Sequence, residues 1–492
     1  MRHWMKAGLA ALALSALVPL HGSDRALDRN VDKAFRSIDF SEGYAITRTL
    51  SAPEFAGRLT GHEGYAAAAK WAAGKFREWG LKPIDPKAGY LQAYPSPYTV
   101  IDTATMTLFL AGKPVEGREA VFQEKKLEPE TDFLPLLYSD SGDRTAELVF
   151  AGWGISAPEL NYDDYAGIDV KGKFVLCFRG TPEEPGKDFQ PYDEHRTRMK
   201  TARDKGALGI VYIYPEAISN PNGDWLPGFT PAMITEKTAD LVFKEIEGSS
   251  AELKKALLTY KRPISFPLRS RARLAVSSRA FPNGIGYNIV GYVEGSDAKL
   301  RKECLVVGGH FDHNGTHMGL MFPGADDNAS GSAAVMQIAR AFAGLGKKPK
   351  RSVVFALFGG EEMGLQGSTW FVNHVPGPFV RVDGMFNFDM VGEGDGIGFA
   401  VSAEPPDMLN VLEEAGRHVK IIRSKDTIRG VGVRGSDFAP FFRKGIACAS
   451  FYSTGPHLAY HQTGDSIYRI NPDIIADTAR LAFLGGVFWA DR

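Results

Sequence analysis

FALFGGEEMG, residues 355–364, decides how this chain is read. The run Val353–Phe358 is apolar throughout, Gly359 and Gly360 stop it, and Glu361 and Glu362 follow at once. A short, continuous apolar run reads as a strand covered on both faces, as in a sheet packed between helices. Two adjacent carboxylates at its end repel each other. Burying either costs several kcal/mol unless it is paired or bound to metal. The pair is therefore either a solvated loop tip or half of a site.

Reading outward, Asn288–Val293, Cys304–Gly309, Gly384–Met390 and Ile446–Tyr452 are further apolar strand candidates. Between two of the strands, Ser330–Phe342 places Ala334, Val335, Ile338 and Phe342 on one helical face. Strands alternating with helices predict an α/β fold, a mixed central sheet with helices on both faces. Ligands of such sheets sit at the carboxyl ends of the strands. Upstream, residues 61–81 predict an alanine-rich helix that stops near Gly80. Between them lies a region of short strands (Ala146–Gly154, Lys173–Phe178, Ala207–Tyr214) with a helix over Arg196–Gly206, which reads as a separate β-rich module.

The chain has 492 residues, enough for two or three domains. Its 57 basic and 58 acidic residues leave a formal charge of -1, which gives no footprint for nucleic acid. Arg2, His3 and Lys6 precede the apolar stretch Ala7–Leu20, with Gly22 and Ser23 behind it, the pattern of a secretory signal peptide over residues 1–22. This predicts an extracytoplasmic protein, periplasmic or secreted, without a stable membrane anchor. Cys177, Cys304 and Cys448 all lie in apolar runs and read as buried thiols.

The polar residues of interest follow strand after strand. His310 and Asp312 close ECLVVGGHFD, and Asp326 and Asp327 stand in GADDNASG before the helix. Glu361 and Glu362 come next, then Asp389 in NFDMVG and His461 in YHQTGDS. Each piece alone is a common surface pair or helix cap. Together, at one sheet edge, they form a carboxylate and imidazole set suited to zinc, with positions left for water.

GGHFDH, GADDNASG, FGGEEMGLQGS, NFDMVG and YHQTGDS together resemble the co-catalytic zinc aminopeptidases of peptidase family M28, over about residues 285–470. EFAGRLTGHEGY resembles that family's N-terminal portion. VFAGWGISAPELNYDDYAGIDVKGKFVLCFRG resembles the protease-associated domain often inserted in it. The resemblance implies a zinc exopeptidase fold. Its peptidase domain would be split into residues 23–105 and 275–492 around an inserted protease-associated domain at 106–274. It also implies two zinc ions. One would be held by His310, Asp389 and Asp327, the other by Glu362, His461 and the same bridging Asp327. Asp312 would orient His310 through its far ring nitrogen, and the Asp327–Asn328 peptide bond would be cis. Glu361 would be the general base and Tyr460 would polarise the substrate carbonyl. Adjacent side chains in extended backbone point apart, so one glutamate can ligate while the other faces water.

The expected activity is removal of N-terminal residues from peptides. A carboxypeptidase or dipeptidase, a glutaminyl cyclase and a non-catalytic binding protein are the alternatives, and a homodimer stays open. His313, His317 and His457 are further candidates near the site, although loop histidines are usually solvated and none is needed for the ligand count. Met318, Leu320, Met321 and Phe322 read equally as lining a specificity pocket or as exposed or packed loop residues. In the segment Arg434, Ser436, Asp437, Phe438, a phenylalanine stands where many relatives have histidine.

Overall fold

The computed structural model describes residues 27–112, 121–428 and 435–492. The expected signal peptide and Arg434 lie outside the described residues.

Four parallel strands form the centre of the larger sheet, in the spatial order Ser352–Phe358, Glu303–His310, Arg381–Phe388, Cys448–Thr454. Ile285–Val293 joins antiparallel on one side and Gly396–Ser402 on the other, so the sheet is mixed. Side chains alternate between its faces. Leu305, Val307, Phe355 and Leu357 pack on one side, with the helices Phe40–Leu50, Gly331–Ala343 and Pro472–Ala490. Cys304, Val306, Val354 and Ala356 pack on the other, with Gln366–Asn373 and Phe438–Phe442. Each fully buried Val, Leu or Phe side chain among them contributes about 1.5–3 kcal/mol. Coverage of both faces is why these strands read as unbroken apolar runs. Helix Gly331–Ala343 is buried nearly all round, between the sheet and four other helices, rather than on one face only.

A second sheet of eight strands has Tyr98–Ala111 and Ser265–Phe281 side by side, with Phe122–Lys126 and Phe133–Pro135 at its edges. Met106 and Leu274 are register partners inside these two strands, so the sheet extends on both sides of positions 106 and 274. Arg271, Arg273 and Arg279 recur along Ser265–Phe281, and Arg273 and Arg279 pair with Asp143 and Asp102 at the surface. This polar alternation masks the strand in the sequence. Helices His195–Asp204, Glu236–Phe243 and Ser250–Tyr260 accompany this sheet. Cys177, Cys304 and Cys448 are buried free thiols. Among the described residues no helix is long and apolar enough to cross a membrane.

Candidate active site

Because the four central strands are parallel, their carboxyl ends share one edge. His310 is the last residue of its strand and Asp389 follows Phe388 directly. After Phe358 the chain must turn sharply. A Cβ on Gly359 would meet the Tyr65 hydroxyl at 2.3 Å, and Gly360 takes φ +65°. The Gly360 N–H is held by Thr60 Oγ1 at 2.8 Å, and the turn delivers Glu361 and Glu362. Asp327 comes from the turn Ala325–Ser330 ahead of helix Gly331–Ala343, and its peptide bond to Asn328 is cis. His461 lies in the loop after Cys448–Thr454, at φ +56°.

Asp327 is the centre of the constellation. Its Oδ1 lies 3.2 Å from His310 Nε2, which is also 3.2 Å from Asp389 Oδ1. Its Oδ2 lies 3.2 Å from His461 Nε2, which is 2.9 Å from Glu362 Oε2. The donor atoms of His310, Asp327 and Glu362 fall within 4.8 Å of one another. Two ligand atoms about 2.0–2.1 Å from a tetrahedral zinc stand roughly 3.3 Å apart. The observed spacings are within a few tenths of that value. Both histidines turn the other nitrogen to a backbone carbonyl: His310 Nδ1 to Asp312 at 3.2 Å and His461 Nδ1 to Ser219 at 2.8 Å. A carbonyl only accepts, so Nδ1 carries the hydrogen and Nε2 keeps its lone pair for a ligand. The residues present therefore fit two zinc ions sharing Asp327.

The local field agrees. Burial opposes protonation of His310, yet the charges of Asp389 and Glu361 raise it well above the ordinary imidazole value. Burial likewise opposes His461, and Glu362 raises it. Burial would lift Glu362, but His461 and other partners bring it down to about 2. Carboxylates so arranged favour positive charge at their centre, and a divalent cation meets the same demand. Glu361 is different: burial comes first and neighbouring carboxylates second in raising it well above the ordinary range.

Several placements differ from expectation. The carboxylate of Asp312 is 3.9 Å from His310 Nδ1, and it is the Asp312 carbonyl that holds this ring. The carboxylate instead accepts the Glu361 N–H at 3.2 Å. His313 is not a solvated loop residue. It is fully buried, and its Nδ1 lies 2.7 Å from Glu362 Oε1, which leaves Oε2 to face His461. His317 is buried too, accepting the Ile101 N–H and bonding the Asn314 carbonyl. His457 is half-buried against Asp326. Met318, Leu320 and Phe322 pack with the domain built on the second sheet instead of lining the cleft. Phe438 is buried in the core beneath the sheet, and Asp437 beside it is raised to about 7, chiefly by burial.

Two supports carry no signal that residue type alone could give. Asp465 accepts the N–H groups of Asp326 and Asp327 at 2.8 and 3.0 Å. Arg58 is fully buried and donates to the carbonyls of Leu50, Phe311, Pro323 and Gly324. Both stand in segments whose resemblance is noted above, HQTGDS and EFAGRLTG. A cavity of about 450 Å³ opens onto Glu361, Glu362, Tyr460 and His461. Its opposite wall comes from the second domain, with Arg179, His195, Asn220 and Asn222. The Tyr460 ring stacks on His461 with centroids 3.8 Å apart.

Comparison with known proteins bears on the family. Residues 288–484 match Peptidase family M28. The chain is 32% identical over 434 residues to an aminopeptidase of Pseudomonas aeruginosa, covering 80% of this chain and 72% of that one. It is 28% identical over 206 residues to leupeptin-inactivating enzyme 1 of Streptomyces exfoliatus, and the match spans only 44% of that protein and 38% of this one. The fold is shared with an aminopeptidase from Aneurinibacillus sp. strain AM-1, at a TM-score of 0.61 and 21% identity over 94% of this chain and 96% of the other. On the length and identity of these matches, the chain belongs to peptidase family M28.

Proposed function

We propose that this chain is an exported, two-zinc aminopeptidase that removes N-terminal residues from short peptides. The observation that carries the reading is the division of Asp327, with one oxygen toward His310 and Asp389 and the other toward His461 and Glu362. One ion would be held by His310, Asp389 and Asp327, the other by Glu362, His461 and Asp327. Bound there, the pair would supply Lewis acidity, polarising a peptide carbonyl and acidifying a water. Glu361 lines the cavity and ligates neither ion in this reading. It takes the proton of the attacking water and returns it to the departing amine. Tyr460, on the same wall, donates its hydroxyl to the carbonyl oxygen as charge develops.

The domain of the second sheet is read as a protease-associated domain. It closes the cleft from the far side and leaves a cavity of about 450 Å³. At about 3.3–3.6 Å per extended residue, a space on the order of 10 Å across admits two or three residues. Substrate is therefore a chain end rather than a folded loop. Zinc content and hydrolysis of the wild type and Glu361→Gln test the reading. The expected result is two ions per chain in both proteins, with kcat lower by about 10²–10⁴-fold in the variant. A variant of undiminished activity, or a wild type that binds fewer than two zinc ions, would overturn it.

A further inference from the structure

Ser219 stands in the second domain, on the loop between strands Gly209–Tyr214 and Ala232–Thr235, and is almost fully buried. It makes two backbone hydrogen bonds to one ligand candidate. Its carbonyl accepts from His461 Nδ1 at 2.8 Å, and its N–H donates to the His461 carbonyl at 2.9 Å. His461 sits at φ +56°, a conformation that a side-chain-bearing residue keeps only when its surroundings hold it. The next two residues are gripped by the same domain. Gln462 Nε2 donates to Glu216 at 2.8 Å, and the Thr463 N–H donates to Glu130 at 3.2 Å.

Glu362 is held in the same way through its neighbour. Arg196 Nη2 donates to the Met363 carbonyl at 2.6 Å. Arg196 is itself braced by Asp224 at 2.8 Å and Asn222 at 3.1 Å. The Met363 side chain is buried in a cluster with Tyr138 and Met199 of the second domain.

The other half of the site is braced from within the larger sheet's own domain. His310 has its ring on the Asp312 carbonyl, and its own carbonyl accepts Ser332 Oγ at 2.8 Å. The Asp389 N–H donates to the Phe451 carbonyl at 3.1 Å. Two further cross-domain hydrogen bonds join Ile101 to His317 and Met318, beyond the ligand positions.

We propose that the second domain sets the ion affinity of the Glu362–His461 half-site, and not that of the His310–Asp389 half-site. This rests on the two-ion reading above. The Ser219 carbonyl fixes the tautomer and direction of the His461 ring. Arg196 fixes the backbone from which Glu362 projects. Loss of such outer partners weakens metal binding by about 10–100-fold. Here the loss falls on one ion of the two, so the placement of a whole domain is coupled to the occupancy of a single position.

The test is zinc titration of the metal-free full chain against a chromophoric chelator. Asp389→Asn, which cripples the other half-site, identifies which affinity class belongs to Glu362 and His461. Ser219→Pro removes the N–H that grips His461, and Arg196→Met removes the grip on Met363. Each is expected to weaken the Glu362–His461 class by about 10–100-fold and leave the other class unchanged. Should Ser219→Pro lower the melting temperature of the apo chain, Arg196→Met and Glu130→Ala carry the measurement. Equal weakening of both classes, or no shift in either, would overturn the inference. A wild type that binds fewer than two ions would sink the two-ion reading first and this inference with it.

Discussion

The backbone N–H of Glu361 donates to Oδ1 of Asp312 across 3.2 Å. The carbonyl of the same aspartate accepts from His310 Nδ1, also at 3.2 Å. Asp312 thus holds the proposed proton carrier and an ion ligand in one frame, from a fully buried position. Asp312→Ala, which leaves the backbone carbonyl on His310, is expected to lower kcat by about 10–100-fold with little change in KM or in zinc affinity. Asp312→Asn keeps an acceptor for the Glu361 N–H and is expected to recover most of the loss. Steady-state kinetics with a zinc titration on both variants checks this.

Arg58 saturates four buried carbonyls from Leu50, Phe311, Pro323 and Gly324. Burial lowers its guanidinium to about 10, so it stays charged at neutral pH. Removing it strands those acceptors inside the protein. Arg58→Met is expected to cost about 3–5 kcal/mol of stability in denaturant unfolding. Because Phe311 and Gly324 flank His310 and the Asp327 turn, zinc affinity falls with it.

Asp164, in the second domain, accepts the N–H groups of Trp153 and Ile155 and the Tyr162 hydroxyl, each at 3.0 Å. Burial nonetheless raises it from the model-peptide value of 3.8 to about 7. The folded protein therefore binds this proton more tightly than the unfolded chain. Its ionisation costs no stability below the unfolded value, and the cost accumulates as pH rises from about 4 to about 7. In Asp164→Asn this slope, at most about 1.4 kcal/mol per pH unit, should disappear. Urea unfolding of both proteins between pH 4 and 8 measures it. Parallel pH profiles would contradict the assignment.

Much of this arrangement is legible in the sequence for a plain reason. Strands covered on both faces must be apolar throughout, so Glu303–His310 and Ser352–Phe358 stand out. Polar residues placed directly behind them fall at one edge once the strands are parallel. The rest is carried by groups without a residue signature. The Ser219 carbonyl that orients His461 is backbone, and any residue there could supply it. His313 looks like a solvated loop histidine because nothing local shows that Glu362 will meet it. Strand Ser265–Phe281 carries arginines on its exposed face, so its length is understated by an apolar count. Met318, Leu320 and Phe322 are apolar to seal the contact between domains, a reason that only tertiary structure reveals.

The most direct test of the central claim is mass spectrometry of short peptides after incubation with the zinc-loaded protein. Each peptide is supplied with a free and with an acetylated N-terminus, beside the Glu361→Gln variant as control. Stepwise loss of residues from the free N-termini alone, abolished in the variant, is the predicted result. Cleavage of acetylated peptides from the C-terminus, loss of water from N-terminal glutamine without cleavage, or no change in any peptide would contradict it.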